Sequence, residues 1–344
     1  MLDSFSTNAT VAKIRSIYGS MLTRDDFREM ISKRNVAEIV DFLSSTKRFA
    51  EPLKDIDPNT IHRGFLESRL MRFSIDTYLR LTSFQGLEDK PFYNYLIKKI
   101  ECRQLISLVN AVNNGLNDSF VTSLPSYVFK GSKLDLIACA RCRSIPEVTN
   151  VLKGTAYYKV FKSFELDENG RADLTDAELK LRTKYFSDLL ASIKESFFGS
   201  EREEITEVVR REVDIINMIN AYRMKAYFGY SPEEIKKSSL PFSQLSKRAM
   251  DHVYESEDAP AMLTSIRKTV YGKEMTDEQD SIESGMSLRA LRYMRHTIAR
   301  STSTPVVLYA FMYICETELK NIVRVVEGVR YDVDSALIEK MLII

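Results

Sequence analysis

The chain has 344 residues, with 49 Lys and Arg against 48 Asp and Glu, so no global basic footprint marks it as a nucleic-acid binder. With 44% hydrophobic and 28% charged residues, 12 Gly and 9 Pro, the composition is globular, and the length leaves room for two or three domains. The longest mostly apolar run, Pro305 to Cys315, falls short of the ~20 residues that cross a bilayer, which excludes a spanning helix and leaves at most a peripheral membrane role for a soluble, intracellular chain.

In chain order, the first stretch, MLDSFSTNATVAKIRSIYG, lacks the apolar core of a signal peptide, and the sequon Asn8-Ala-Thr10 carries no meaning inside a cell. Arg15, Tyr18 and Arg24 follow as a cluster of the side chains that interfaces favour. Asn35 then opens a helix that ends near Thr46. A helix over Thr60 to Arg80 follows the Asp57-Pro58 start signal, a loop covers Phe84 to Pro91, and a helical pattern begins at Glu101 and breaks at Asn113 to Asp118.

Cys139-Ala-Arg-Cys142 has the spacing of a metal or redox pair. A structural zinc site needs four ligands, however, and His62, His252 and His296 stand at no ligand spacing. The pair is therefore read as two small apolar residues of a helix, with no metal and no cofactor. Ser144 caps the next helix, which ends near Thr155, and a loop marks Asp167 to Gly170. Two long helices follow, Leu174 to Phe198 and Glu201 to Phe228, the second stopping at Gly229.

Tyr222, Arg223, Lys225, Tyr227 and Tyr230 gather at that stop as a second candidate contact cluster. The competing reading makes these tyrosines, with Tyr18, partly core and the basic residues a solvated helix face. Asp258 caps a helix that ends near Thr269, a loop runs from Tyr271 to Gly285, and a last long pattern covers Ser287 to Arg300 before Thr304-Pro305. No alternating run argues for a strand, so the predicted fold is all-α.

Three of these segments repeat one another: Asn35 to Thr46, Ser144 to Thr155 and Asp258 to Thr269. Each opens on a capping side chain, and Glu38 and Glu147 occupy the capping-box position, where the third copy has Ala261. Each buries one stripe: Val36, Ile39, Val40 and Leu43; Ile145, Val148 and Leu152, interrupted by Thr149; Ala259, Met262, Leu263 and Ile266. An aromatic follows each time, at Phe49, Tyr157 and Tyr271. The caps stand 109 and 114 residues apart, and a second landmark, Glu101, Glu212 and Glu316, recurs after 111 and 104. The chain therefore reads as three divergent helical units, 1–122, 123–234 and 235–344. Shifted by these periods, Cys139 and Cys142 fall on Met30 and Lys33, and on Val253 and Ser256, none of which makes a metal pair.

Phosphate-loop, dinucleotide, metalloprotease and serine-hydrolase motifs are all missing from the sequence. The residues alone leave open a general helical scaffold that binds other proteins and an all-α enzyme acting on a small molecule; a deep pocket holding a perturbed acid or base would favour the enzyme.

The stretch Asn8 to Phe27 resembles the opening of the C subunit of the V-type rotary ATPases, the counterpart of the d subunit in eukaryotes, and Glu212 to Gly229 and Glu316 to Arg324 resemble that family's later helices. The resemblance covers the whole chain, including its length and threefold repetition. It implies a pseudo-threefold funnel of helical bundles that joins the central shaft to the membrane proteolipid ring for ion transport or ATP synthesis. It also implies a peripheral place on the cytoplasmic side, one copy per complex, a monomer in isolation, and no active site, cofactor or nucleic acid of its own.

Overall fold

The computed structural model describes residues 2–57, 63–84, 86–124, 132–272 and 282–344, with the side chains of 2–8, 88, 122 and 123 left out of the description. The helices in chain order begin with α1 (Leu2–Tyr18), α2 (Arg24–Ile31), α3 (Val36–Ser45), α4 (Ala50–Leu53) and α5 (Arg63–Ser83). After 3-10 turns at Leu87–Asp89 and Pro91–Asn94 come α6 (Tyr95–Asn114), α7 (Asn117–Ser123), α8 (Leu136–Arg141), α9 (Ile145–Val151) and α10 (Tyr158–Lys162). Then follow α11 (Leu174–Ser196), α12 (Gly199–Phe228), α13 (Pro232–Lys237), α14 (Lys247–Tyr254) and α15 (Ala259–Lys268). The last three are α16 (Ile282–Arg300), α17 (Thr304–Arg330) and α18 (Ser335–Met341).

Among the described residues no strand forms, and the fold is all-α as its sequence periodicity predicts. One isolated bridge, Leu166 to Ala172, closes the predicted turn at Asp167–Gly170, where Gly170 takes φ 73°. Helix boundaries follow the start signals with small shifts. Residues 58–62 and 273–281 of two predicted boundaries lie outside the described residues, and Ile282 to Gly285, read as loop, belong to α16, whose buried face already begins at Ile282.

The three repeated segments are helical and share their local chemistry. Asn35 accepts from the Glu38 amide at 2.9 Å, Ser144 from Glu147 at 3.4 Å, and Asp258 from Ala261 at 2.8 Å, each satisfying an amide that the first turn would leave bare. Glu38 and Glu147 reach one residue past the expected capping-box partner, accepting from Arg34 N and Arg143 N, both at 3.0 Å. At the other end Thr46, Thr155 and Thr269 donate to Leu43, Leu152 and Ile266 carbonyls at 2.6–2.7 Å. The same hydroxyls accept from the amides of Phe49, Tyr157 and Tyr271 at 3.2–3.3 Å, and all three aromatics are buried.

Two compact units emerge, Met1–Leu87 with Ile266–Ile344, and Glu88–Ser265. In the first, Leu319, Ile322, Val325 and Val326 of α17 join Phe27, Met30, Ile39, Leu43 and Phe49 in one core, so the end of the chain completes what its beginning starts. Each such fully buried side chain contributes roughly 1.5–3 kcal/mol. Val306 to Phe311 are at most 2% exposed, which explains the apolar run at 305–315: the helix is buried on every side within the protein. Further along α17, Gly328 lets Ile338 approach, since a Cβ there would lie 2.6 Å from the isoleucine.

In the second unit α6 packs on α11, and the rings of Phe92, Tyr93, Tyr95 and Phe197 gather with centroids 5.1–6.3 Å apart.

Candidate interface

The long helices α6, α12 and α17 carry buried polar side chains that bind other parts of the chain. Glu101, 1% exposed, accepts from Lys98 at 2.9 Å, from Ser132 at 2.8 Å and from the Tyr157 hydroxyl at 3.1 Å. Burial and then the Glu101 charge raise the Tyr157 pKa, which keeps the phenol a neutral donor. Glu212 meets Lys99 of α6 at 3.1 Å.

In the third copy the buried acid is Glu318 rather than Glu316. Two positions on a helix differ by about 200°, so the two glutamates face opposite ways. Glu316 pairs along its own helix with Lys320 at 3.0 Å, whereas Glu318 accepts from Arg48 at 2.5 Å and from the Leu22 amide at 2.9 Å. Burial pushes the Glu318 carboxyl up, and the Arg48 guanidinium opposes that push.

A set of asparagines is the clearest feature that sequence reasoning missed. Asn113, Asn217 and Asn321 stand 104 residues apart in each step. Each uses its amide as a two-pronged bracket on one backbone residue. Asn113 donates to Ala172 O at 2.7 Å and accepts from Ala172 N at 3.1 Å. Asn217 holds Leu240 with two bonds of 2.9 Å, and Asn321 holds Ile343 at 2.7 and 3.0 Å. Asp214, three residues before Asn217 as Glu318 is before Asn321, accepts from Ser243 Oγ and from the Gln244 and Leu245 amides. The repeated spacing was the available signal.

The predicted contact residues fall into both units. Arg15 serves its own fold: its guanidinium donates to the carbonyls of Ile298, Ala299 and Ser301 at 3.0, 3.3 and 2.8 Å, closing the C-terminus of α16. Arg24 and Arg28 share Glu339 at 3.2 and 2.9 Å, and Tyr18 is half-buried.

On α12 the buried stripe of Ile205, Val208, Val209, Val213 and Met218 ends at Ala221, so the last two turns leave the core. Tyr222, Lys225 and Tyr230 are half-buried and Arg223 is exposed. Tyr227 is 73% exposed, and Phe228, which sequence reasoning did not single out, is 69% exposed. The helix stops there because Gly229 adopts φ 63°, which turns Tyr230 back to donate its amide to Met224 O at 3.2 Å and brings its ring 5.9 Å from Phe228. An exposed aromatic end with basic neighbours is the part of this unit that most resembles an interface.

Residues 10–341 match the model of the ATP synthase (C/AC39) subunit. The chain belongs to this family. Among curated relatives, the C subunit of the A-type ATP synthase of Desulfurococcus sp. (strain SY) is 27% identical over 290 residues, 84% of this chain and 75% of the relative. Its counterpart from Thermococcus gammatolerans is 26% identical, covering 84% and 75%, and that of Methanosphaera stadtmanae is 24% identical, covering 96% and 86%.

In this member of the C/AC39 family no helix of the described residues is long and apolar enough to cross a membrane. Its cysteines are free thiols. Burial pushes Cys139 up to about 12, far from the range of a thiolate nucleophile. Among the described residues no group of three or more His, Cys, Asp or Glu is placed to hold a metal ion.

Proposed function

We propose that this chain is a non-catalytic subunit of an A/V-type rotary ATPase and, within it, the collar that couples the central shaft to the membrane proteolipid ring so that both turn together during ion transport or ATP synthesis. The family match over residues 10–341 carries this reading. The relatives are named as C subunits of A-type ATP synthases.

The chain's chemistry suits a mechanical part. Its buried acids bind backbone amides, hydroxyls and cations of the same chain, as Glu101, Asp214 and Glu318 do. A part that transmits torque needs such internal bracing, because a segment free to slide would absorb the applied force as local rearrangement. We further read 1–122, 123–234 and 235–344 as three sequence-related units arranged as a funnel on the cytoplasmic side, one copy per complex. The threefold recurrence of the Asn bracket and of the Thr hydroxyl closing each repeated helix supports that kinship.

The test is affinity purification of the tagged chain from solubilised membranes of its host, with mass spectrometry of what comes with it. Stoichiometric recovery of a small proteolipid and shaft subunits is expected. Recovery without either would refute the collar reading and favour a general scaffold.

A further inference from the structure

Helix α12, about 45 Å long, carries a large exposed aromatic at each end, and the two ends differ in charge. Phe198, just before its first residue, is 75% exposed, and the Arg202 guanidinium lies 5.0 Å from its ring. Around it in the chain stand four acids, Glu195, Glu201, Glu203 and Glu204, against Lys194 and Arg202. At the far end every residue from Ala226 to Gly229 is exposed, Tyr227 at 73% and Phe228 at 69%. No acid occurs from Ile215 to Pro232, whereas Arg223 lies one turn before Tyr227 and Lys225 three residues before Phe228, so each ring has a cation on its own face of the helix. In the helix that follows, Glu233 and Glu234 are matched by Lys236 and Lys237.

The aromatic end is held in place. Gly229 turns the chain at φ 63°, the Tyr230 amide donates to Met224 O at 3.2 Å, and the half-buried Tyr230 ring lies 5.9 Å from that of Phe228. Solvation gives no reason for two adjacent large rings at this point, where charged residues would cost nothing. Together Tyr227 and Phe228 present roughly 200–350 Å² of largely apolar surface, well short of the ~800 Å² that a stable interface takes from each protein partner. A rigid protein surface gains little from so small a projecting point, whereas the interfacial layer of a bilayer closes around it on every side.

We infer that the C-terminal end of α12 inserts into the headgroup layer of a bilayer that carries anionic lipid, with Tyr227 and Phe228 entering the interface and Arg223 and Lys225 meeting lipid phosphates. Each part of the tip has its match there. Aromatic rings settle at headgroup level, cations are drawn to the negative surface potential, and a stretch without acids meets no repulsion from it. The Phe198 end, equally exposed but acidic, has the ring without the favourable charge, and it stays in water. The contact is with lipid itself, so it goes beyond the collar role and does not depend on it.

The chain contains no tryptophan, so Phe228→Trp installs a single fluorescent reporter, and Phe198→Trp installs a matched one at the opposite end. Each full-length variant is titrated with vesicles of equimolar phosphatidylcholine and phosphatidylglycerol, and with vesicles of phosphatidylcholine alone. At position 228 the emission should shift to the blue on the anionic vesicles only and revert in about 1 M salt, where the screening length falls to ~3 Å, while at position 198 it should not move. Cosedimentation with the anionic vesicles should weaken roughly tenfold or more when Tyr227→Ser and Phe228→Ser are combined. No shift at position 228, an equal shift at 198, or equal binding to the neutral vesicles would overturn the inference and leave the collar reading untouched. Failure to recover proteolipid and shaft subunits would end the collar reading and leave this contact standing. Fluorescence decides the matter even if the double serine variant folds poorly, since exchanging one exposed ring for another leaves the core intact.

Discussion

Replacing Asn217 by leucine isolates what one bracket contributes. The side chain is 2% exposed on α12, donates to Leu240 O and accepts from Leu240 N, each at 2.9 Å, and Leu240 is itself 4% exposed. Leucine fills similar space but removes both bonds and strands a buried N–H and a buried C=O, at about 1–3 kcal/mol for each group. Some relief by local rearrangement brings the expected loss to about 2–4 kcal/mol. Asn217→Asp keeps the acceptor for Leu240 N, loses the donor and sets a carboxylate against Leu240 O, so at neutral pH it should cost at least as much.

Urea unfolding followed by circular dichroism measures the loss, with the denaturant slope compared between variants. Native-state hydrogen exchange at the Leu240 amide measures its location. If the segment opens locally, exchange there should quicken by roughly 30-fold to 1000-fold, at about 1.4 kcal/mol per factor of ten. An unchanged Leu240 rate together with a loss under about 0.5 kcal/mol would refute the bracket as a stabilising element. Asn321→Leu, which frees Ile343, should behave alike and add to Asn217→Leu, because the two share no partner.

Glu318→Gln removes the charge facing buried Arg48 and should destabilise by about 3–5 kcal/mol, whereas Arg48→Met with Glu318→Leu should cost less than the two single losses added; additive losses in denaturant titrations would contradict this. Arg15→Ala deprives the α16 terminus of its donor and is expected to lower stability by about 1–2 kcal/mol, with Arg15→Lys recovering part; wild-type stability combined with failed assembly would instead make Arg15 a contact residue. The hydrogen bond and charge of Arg28, with Arg24 beside it, hold the Glu339 pKa below its usual value, so this group adds stability above the ordinary carboxylate range and loses it as pH falls through the depressed value. Because the site is open to solvent the effect should be a few tenths of a kcal/mol at neutral pH. The gap between wild type and Glu339→Gln should close below about pH 4 and shrink in salt, and a gap that widened in acid would be inconsistent with the pairing.

Short-range physics was legible in the sequence. The caps at Asn35, Ser144 and Asp258, the buried stripes behind them and the stop at Gly229 depend on residues within one or two turns, so their spacing alone announces them. The family could be read as well, because it is carried by the order and spacing of such local features along the whole chain. Pairing was not legible. The carbonyls that Arg15 binds, those of Ile298 and Ser301, lie more than 280 positions away in the chain. Glu316 and Glu318 look interchangeable until Arg48 and Leu22 select the second, and Asn217 looks like one polar residue among many until Leu240 lies against it. Local periodicity states which face of a helix is buried. Which partner reaches that face, and whether a polar group there is satisfied or stranded, depends on chain segments that meet only when the fold closes.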